Sequence, residues 1–275
     1  MAGTLYVVAT PLGNLGDLSP RAADTLKRVA VVAAEDTRHS KPLLHHAGSR
    51  ADLVSLHAHS SERALEHVLR ILSDGRDVAL ITDAGTPAIS DPGAELVAAA
   101  RARGIPIVTI PGPNAVAASL AVSGIPADRY VFLGFLPRKG SDRRRLLLTA
   151  ASSEWTVVLF EAPNRVTQLL ADLIEVCGPE RQGAVSRELT KVFEETRSGT
   201  LQELSEHYAE APVRGEVTVV VAGTGKQRIE EPPPDASERA KALLAEGLSR
   251  KDVADRLTEE TGISRNAAYR LVNEL

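Results

Sequence analysis

The stretch Thr82-Asp83-Ala84-Gly85-Thr86-Pro87-Ala88-Ile89-Ser90-Asp91-Pro92-Gly93 decides the fold. Ahead of it, Asp77-Val78-Ala79-Leu80-Ile81 is a short apolar run suited to a buried strand, and behind it Ala94 to Ala100 reads as a helix. Two glycines and two prolines in twelve residues keep either element from running through. An ordinary turn between strand and helix takes about two to six residues, so this longer one is read as functional. Loops at the carboxyl ends of parallel strands are where open α/β sheets bind ligands. Glycine lets a ligand approach the main chain, and proline fixes the loop's shape beforehand.

The same grammar recurs on either side. Thr4 to Thr10 and Val31 to Ala34 read as strands, Pro20 to Val29 as a helix with proline at its start, and Ala64, Leu65, Val68, Leu69 and Leu72 mark another helix. Ile105 to Ile110 supplies a further strand before Pro111-Gly112-Pro113-Asn114-Ala115. Strands alternating with helices imply a mostly parallel sheet. The second half changes character: Tyr130 to Phe135, Thr156 to Phe160, Gly183 to Glu188 and Val217 to Ala222 are expected strands of a mixed sheet, with a helix over Val166 to Val176. Pro232-Pro233-Pro234 stiffens a linker. Beyond it three helices are expected, the second opened by Ser249 and Asp252 in a variant capping box, the third after Gly262 and capped by Ser264. The expected division is 1–113 and 114–226 as two α/β domains, 227–235 as linker, and 236–275 as a helix-turn-helix-like module.

Composition bounds the partners. Of 275 residues, 43% are hydrophobic and 25% charged, with a net charge of −4, so any nucleic-acid binding needs a local basic patch. The single Cys177 excludes an internal disulfide and fits a reducing cytoplasm. No signal-like or membrane-spanning run is expected, which places the protein in the cytoplasm. Gly13 and Gly16 match only the end of a dinucleotide fingerprint, and the helix that follows begins too late to hold a pyrophosphate. Five of the seven histidines fall between His39 and His59, without metal-ligand spacing, so no metal is expected.

The main basic patch is Pro137-Arg138-Lys139-Gly140-Ser141-Asp142-Arg143-Arg144-Arg145, five cations against one carboxylate. Cations at a helix start oppose the helix dipole, which favours a phosphate-binding reading for Arg138, Lys139, Arg143, Arg144 and Arg145. Arg265, Asn266, Tyr269 and Arg270 share the last helix, yet the tail's charges nearly balance, so packing and RNA contact both stay open. Phe160-Glu161-Ala162-Pro163-Asn164-Arg165 and Arg187-Glu188-Leu189-Thr190-Lys191 crowd polar groups at two more strand ends.

Ala9 to Asp17, Ala34 to Arg38, Asp83 to Gly93, Pro111 to Ala115, Glu161 to Arg165 and Arg187 to Lys191 recur in that order in the ribosomal RNA small-subunit methyltransferase I family, which this chain resembles from about residue 4 to 223. The resemblance implies two tetrapyrrole-methylase-type α/β domains with a cleft between them, binding S-adenosylmethionine and acting as a homodimer. It further implies 2'-O-methylation of a cytidine ribose in the decoding region of 16S rRNA. Matched motif by motif, Pro11 and Leu12 would line the cleft, and Ala84, Gly85, Thr86 and Ile89 would contact the cofactor mainly through backbone, with Asp83 nearby. Asn114 and Ala115 would hold the cofactor's amino-acid or ribose portion, and Phe160, Glu161, Leu189 and Thr190 would close the site. Thr86 stands where the small-molecule tetrapyrrole methylases carry Asp.

A ribose hydroxyl needs its proton removed during attack. Glu161, Glu188, Asp36 and Lys191 are the candidates, and the sequence does not choose among them. A small-molecule methyltransferase on the same fold and a non-catalytic nucleic-acid-binding protein are the alternatives. The Arg-rich loop and extra helices speak against the first, and the investment in strand-end loops against the second.

Overall fold

In the computed structural model, residues 2–57, 61–210, 215–225, 236–261, 263, 265–273 and 275 are described, with backbone only for 265–267 and 270. They form two units, Met1–Ala222 and Gly223–Leu275.

The first sheet is built from β1 (Leu5–Val8), β2 (Val31–Ala34), β3 (Asp52–Ser55), β4 (Val78–Ile81) and β5 (Ile107–Ile110), all parallel, in the order β3-β2-β4-β1-β5. β2 and β4 are buried on both faces, which is why they read as unbroken apolar runs. Alternate side chains feed two cores. Val31, Ala33, Val78 and Leu80 face one with Leu69, Leu72 and Leu96, while Val32, Ala34, Ala79 and Ile81 face the other with Leu26 and Leu44. The helices of this half are α1 (Pro20–Arg28), α2 (Thr37–His46), α3 (Glu62–Ser73) and α4 (Ala94–Ala102). Ser19 caps α1 by accepting the Ala22 N–H at 3.1 Å, with Pro20 at the first helical position. β1 and β4 are neighbours, so the loops leaving their carboxyl ends, 9–19 and 82–93, meet above the sheet.

α5 (Ala115–Ser123) begins the second half and packs Val116 and Leu120 against Val158, Ala184 and Val220 of the next sheet. That sheet holds β6 (Tyr130–Phe135), β7 (Thr156–Glu161), β8 (Gln182–Arg187), β9 (Glu195–Thr200) and β10 (Val217–Val221), ordered β6-β7-β10-β8-β9. Only β6 and β7 run parallel; β10 is antiparallel to both its neighbours, and β8 to β9. Its opposite face is covered by α6 (Ser141–Ser152), α7 (Val166–Cys177) and α8 (Leu201–Glu210), through Leu147, Leu170, Leu173, Leu204 and Tyr208. The parallel-then-mixed reading of the two halves holds. Four elements were not expected from the sequence: the helices α2 and α5, and the edge strands β3 and β9.

The second unit packs α9 (Ala236–Ala245), α10 (Arg250–Thr261) and α11 (Arg265–Asn273) around Leu243, Val253, Leu257, Ile263 and Val272. Ser249 accepts the Asp252 N–H at 3.2 Å, but the Asp252 carboxylate takes the Ser249 hydroxyl proton at 2.6 Å instead of reaching a backbone N–H, because Asp is one methylene shorter than Glu. Glu260 holds Arg239 at 2.8 Å and Arg256 at 3.1 Å. The triple-proline linker, Ser264, Gly262 and His59 lie outside the described residues.

Candidate functional site

A cleft of about 300 Å³ opens between the carboxyl ends of the first sheet and one end of the second. Leu12 enters from the loop after β1, Ala84, Gly85, Thr86 and Ile89 from the loop after β4, and Asn114 and Ala115 from the start of α5. Phe160 and Glu161 come from the end of β7. These nine sequence-identified residues converge from four separate stretches of chain. Ser90, Asp91, Phe135, Ala162, Pro163 and the segment 215–218 complete the wall. Ser90 and Asp91 lie inside the stretch that decided the fold, and Phe135, Ala162 and Pro163 at strand ends already singled out; nothing in the sequence marked 215–218 as part of a site, although Val217 begins an expected strand.

Other candidates fall elsewhere. Pro11 is buried, and Asp83 accepts the Asp36 N–H at 3.2 Å with His39 at 3.8 Å, both outside the cleft wall. Leu189 is buried, and Thr190 donates its N–H to Glu194 Oε2 at 2.7 Å. The backbone reading of Gly85 needs correction: its N–H and C=O are both committed to Thr10, at 3.0 and 2.8 Å. Asn114 likewise caps α5 through the Ala117 N–H at 3.2 Å and reaches Thr86 Oγ1 at 3.4 Å, so it ties loops together.

Strained backbone concentrates in two loops. Among the described residues, the non-glycine positions with positive φ are Ala88 (68°), Ser90 (61°), Glu188 (50°) and Thr190 (67°), two in each of the loops 82–93 and 187–191. Each such residue costs on the order of 1–3 kcal/mol and persists only where its surroundings over-determine it.

Glu161 is the buried acid of the cleft. Its Oε1 accepts the Ala162 N–H at 2.9 Å and pairs with Arg165 Nε at 3.2 Å, while Oε2 is buried without a protein partner. A buried carboxylate oxygen left in this way is costly, and its place on the cleft wall suits a ligand that donates a hydrogen bond. The wall also fits an adenosine-bearing sulfonium in its apolar faces: Leu12, Phe160, Val217, Ile89 at 39% exposure and Phe135 at 56%.

The remaining proton-acceptor candidates are spent on structure. Asp36 caps α2 and grips Arg38 at 2.9 Å, whose hydrogen bonds pull its carboxyl down to about 2. The Lys191 hydrogen bond, at 2.9 Å, holds Glu188 below the usual carboxylate range. Burial alone would lower Lys191, but Glu188 and Glu216 (3.4 Å) reverse it and keep the ammonium charged. Asp91 goes the other way: burial, then the charges of Glu35, Asp83 and Glu216, push it up to about 6.

The basic patch divides. Arg143 is buried, donating to Asp172 Oδ2 from Nε at 2.9 Å and to the Pro137 carbonyl at 3.0 Å, which corrects its reading as an RNA contact. Arg138, Lys139, Arg144 and Arg145 are exposed, the last two on a shallow recess with Leu148 and Thr149. Arg265 and Arg270 lie on α11 with side chains outside the described part. Among the described residues no group of three or more His, Cys, Asp or Glu could hold a metal, and no helix is long and apolar enough to cross a membrane.

A family model described as Tetrapyrrole (Corrin/Porphyrin) Methylases matches residues 4–205. The fold agrees with a solved uroporphyrin-III C-methyltransferase from Thermus thermophilus complexed with S-adenyl homocysteine, at TM-score 0.57 and 19% identity over 82% of this chain and 97% of that one. The chain is therefore a methyltransferase of the tetrapyrrole-methylase family, with the fold of that family. Two proteins named "Ribosomal RNA small subunit methyltransferase I" are far more similar. The one from Synechocystis sp. is 43% identical over 99% of this chain and 98% of its own length, and the one from Pseudomonas aeruginosa 45% identical over 98% and 96%. Within the methylases, this chain belongs to the ribosomal RNA small subunit methyltransferase I family.

Proposed function

We propose that the protein methylates the RNA of the small ribosomal subunit, on the 2'-hydroxyl of a cytidine ribose in the decoding region of 16S rRNA, as a cytoplasmic homodimer. The observation that carries the substrate class is likeness along nearly the whole chain, tail included, to proteins whose name states it. S-adenosylmethionine is the methyl donor, and bound in the cleft it supplies a methyl carbon already activated toward a nucleophile.

The chain's residues supply placement. Glu161 Oε2 accepts a hydrogen bond from a donor group of the cofactor, Phe160 and Leu12 offer it apolar surface, and the amino end of α5 at Ala115 favours an anionic portion. With a reactive sulfonium, alignment of the two reactants can supply much of the rate. Arg138, Lys139, Arg144 and Arg145 take RNA phosphates, joined by Arg265 and Arg270 of the tail. The division at 113/114 and the separate module 236–275 are part of this reading, supported by α5's packing on the second sheet and by the tail's own core.

The test is incubation with methyl-labelled S-adenosylmethionine and small subunits lacking the modification, followed by digestion to nucleosides. Label in 2'-O-methylcytidine is expected. Label on a base would refute the ribose assignment, and label only in a tetrapyrrole offered instead would refute the substrate class.

A further inference from the structure

A second cavity, of about 360 Å³, adjoins the cofactor cleft. Ser90 and Asp91 belong to the walls of both. Leu56, Leu65 and Leu96 give the second cavity apolar faces, and Glu35 stands with them. Carboxylates disfavour a phosphate there by simple Coulomb repulsion. They accept hydrogen bonds from amino and hydroxyl groups, as Glu and Asp do from the cytosine amine. A nucleotide drawn out of its stack is held in such pockets, between apolar side chains and hydrogen-bonded at its edge.

The shared wall is fixed in place. Ser90 keeps its left-handed backbone against Gly134, where a Cβ would lie 3.0 Å from the Ser90 hydroxyl oxygen. Thr82, buried below, donates its one hydroxyl proton to Glu35 Oε2 at 2.9 Å. That proton cannot also fully serve Asp91. The groups facing Asp91 are thus Glu35, Asp83 and Glu216, with His57 and Glu95 on the second cavity's wall and His39 beside Asp83. This surrounding is one in which a proton is readily taken up.

Resting on the RNA-methylation reading above, we propose that the second cavity is the acceptor subsite, holding the target ribonucleoside with its ribose at the shared wall, and that Asp91 accepts the hydroxyl proton. The ribose oxygen forms a bond to the methyl carbon, and the carbon–sulfur bond breaks with its electron pair left on sulfur. The hydroxyl proton passes to the Asp91 carboxylate and from there to water. A carboxylate that titrates near 6 is ionised at neutral pH yet basic enough to help.

Asp91→Asn and Leu65→Trp separate the parts. Calorimetry should show L65W binding S-adenosylmethionine within about threefold of the parent, and both variants should melt in a single cooperative transition, which shows that they fold; D91N is assayed at saturating cofactor. On subunits lacking the modification, single-turnover methylation by D91N should fall at least about 100-fold. The parent's rate should climb through a midpoint near pH 6, and the variant should lack that limb. L65W, which fills the cavity, should weaken retention of the cofactor-free protein on subunits, and raise KM, by about tenfold or more. Parental rate or an unchanged pH limb in D91N would overturn the role of Asp91; parental retention and KM in L65W would overturn the subsite. A parent that labels no RNA refutes the proposed function instead.

Discussion

Thr10 and Gly85 exchange two backbone hydrogen bonds, at 2.8 and 3.0 Å, and so lock the loop after β1 to the loop after β4. The Thr10 hydroxyl adds a third bond, to the Thr82 carbonyl at 3.1 Å. Two loops that could move separately become one wall of the cleft. Gly85 is required at φ 85°, and an added Cβ would sit 3.3 Å from Leu12 Cδ2, itself a wall residue.

Gly85→Val should therefore act through geometry. A β-branched side chain in left-handed backbone costs roughly 1–2 kcal/mol or more, and relief of that strain moves Leu12 and opens the Thr10 bridge. We expect cofactor affinity to fall tenfold or more by calorimetry, with a melting temperature lower by a few degrees. Parental affinity in G85V would remove this loop from the cofactor site.

Glu161→Gln tests the unpartnered oxygen. The amide keeps the shape, but it loses the charge facing the ligand and presents a donor at one of the two oxygen positions. A hydrogen bond to a charged group contributes about 1.5–3 kcal/mol, so the cofactor dissociation constant should rise about 10- to 100-fold. Equal binding by parent and variant would mean that Oε2 faces no ligand donor.

The three consecutive arginines of α6 should behave differently from one another. A helix turns 100° per residue, so three consecutive side chains cannot all point the same way; Arg143 points inward to Asp172 while Arg144 and Arg145 point out. Arg143→Ala leaves the Asp172 carboxylate without its cation, with the Gln168 amide still donating to it at 2.7 Å, and should destabilise by about 3 kcal/mol. The pair R144A/R145A should leave melting unchanged and reduce the salt slope of subunit binding by up to about two. The reverse pattern would exchange their roles.

How much of this was legible follows from the same physics. The loop 82–93 announced itself because glycine and proline punctuate sequence wherever backbone is unusual. α2 was hidden: Pro42 lies inside it, and its histidines, lysine and arginine blur the apolar period. β3 and β9 are edge strands, Asp-Leu-Val-Ser and Glu-Thr-Arg-Ser-Gly-Thr, too polar to alternate visibly. The missed wall segment 215–218 has a topological cause. β10 runs antiparallel to β7, pairing Val217 with Glu161, so the beginning of one strand lies beside the end of the other. No local pattern encodes that neighbour. Asp91 was in view but unmarked, because its raised carboxyl depends on Glu35, Asp83 and Glu216 brought from elsewhere in the chain.

Deleting residues 236–275 should leave the remaining unit folded and able to bind cofactor, since the tail's apolar residues form their own core around Leu257. Methylation of subunits should fall at least tenfold if α11 meets RNA. A large fall in melting temperature would instead assign the helices to packing, and full activity with unchanged melting would leave them neither role.

Asp91 makes a prediction about stability that is independent of catalysis. Its carboxyl sits at about 6 in the folded protein against 3.8 for the ordinary value, so the folded state binds the proton more tightly than the unfolded chain. The linked stabilisation is complete below about pH 4, where both states are protonated, and is lost as pH rises through 6. Above that, a carboxylate must be held among Glu35, Asp83 and Glu216, at a cost on the order of 1 kcal/mol once partial exposure is discounted. Asp91→Asn removes the charge and keeps the volume. At pH 7.5 the variant should therefore melt about 2–4 °C above the parent, and at pH 4 the two should nearly coincide. A variant that gains stability equally at both pH values would show that shape, not charge, governs the site. One that loses it only at pH 7.5 would show that the ionised Asp91 is held by a favourable partner.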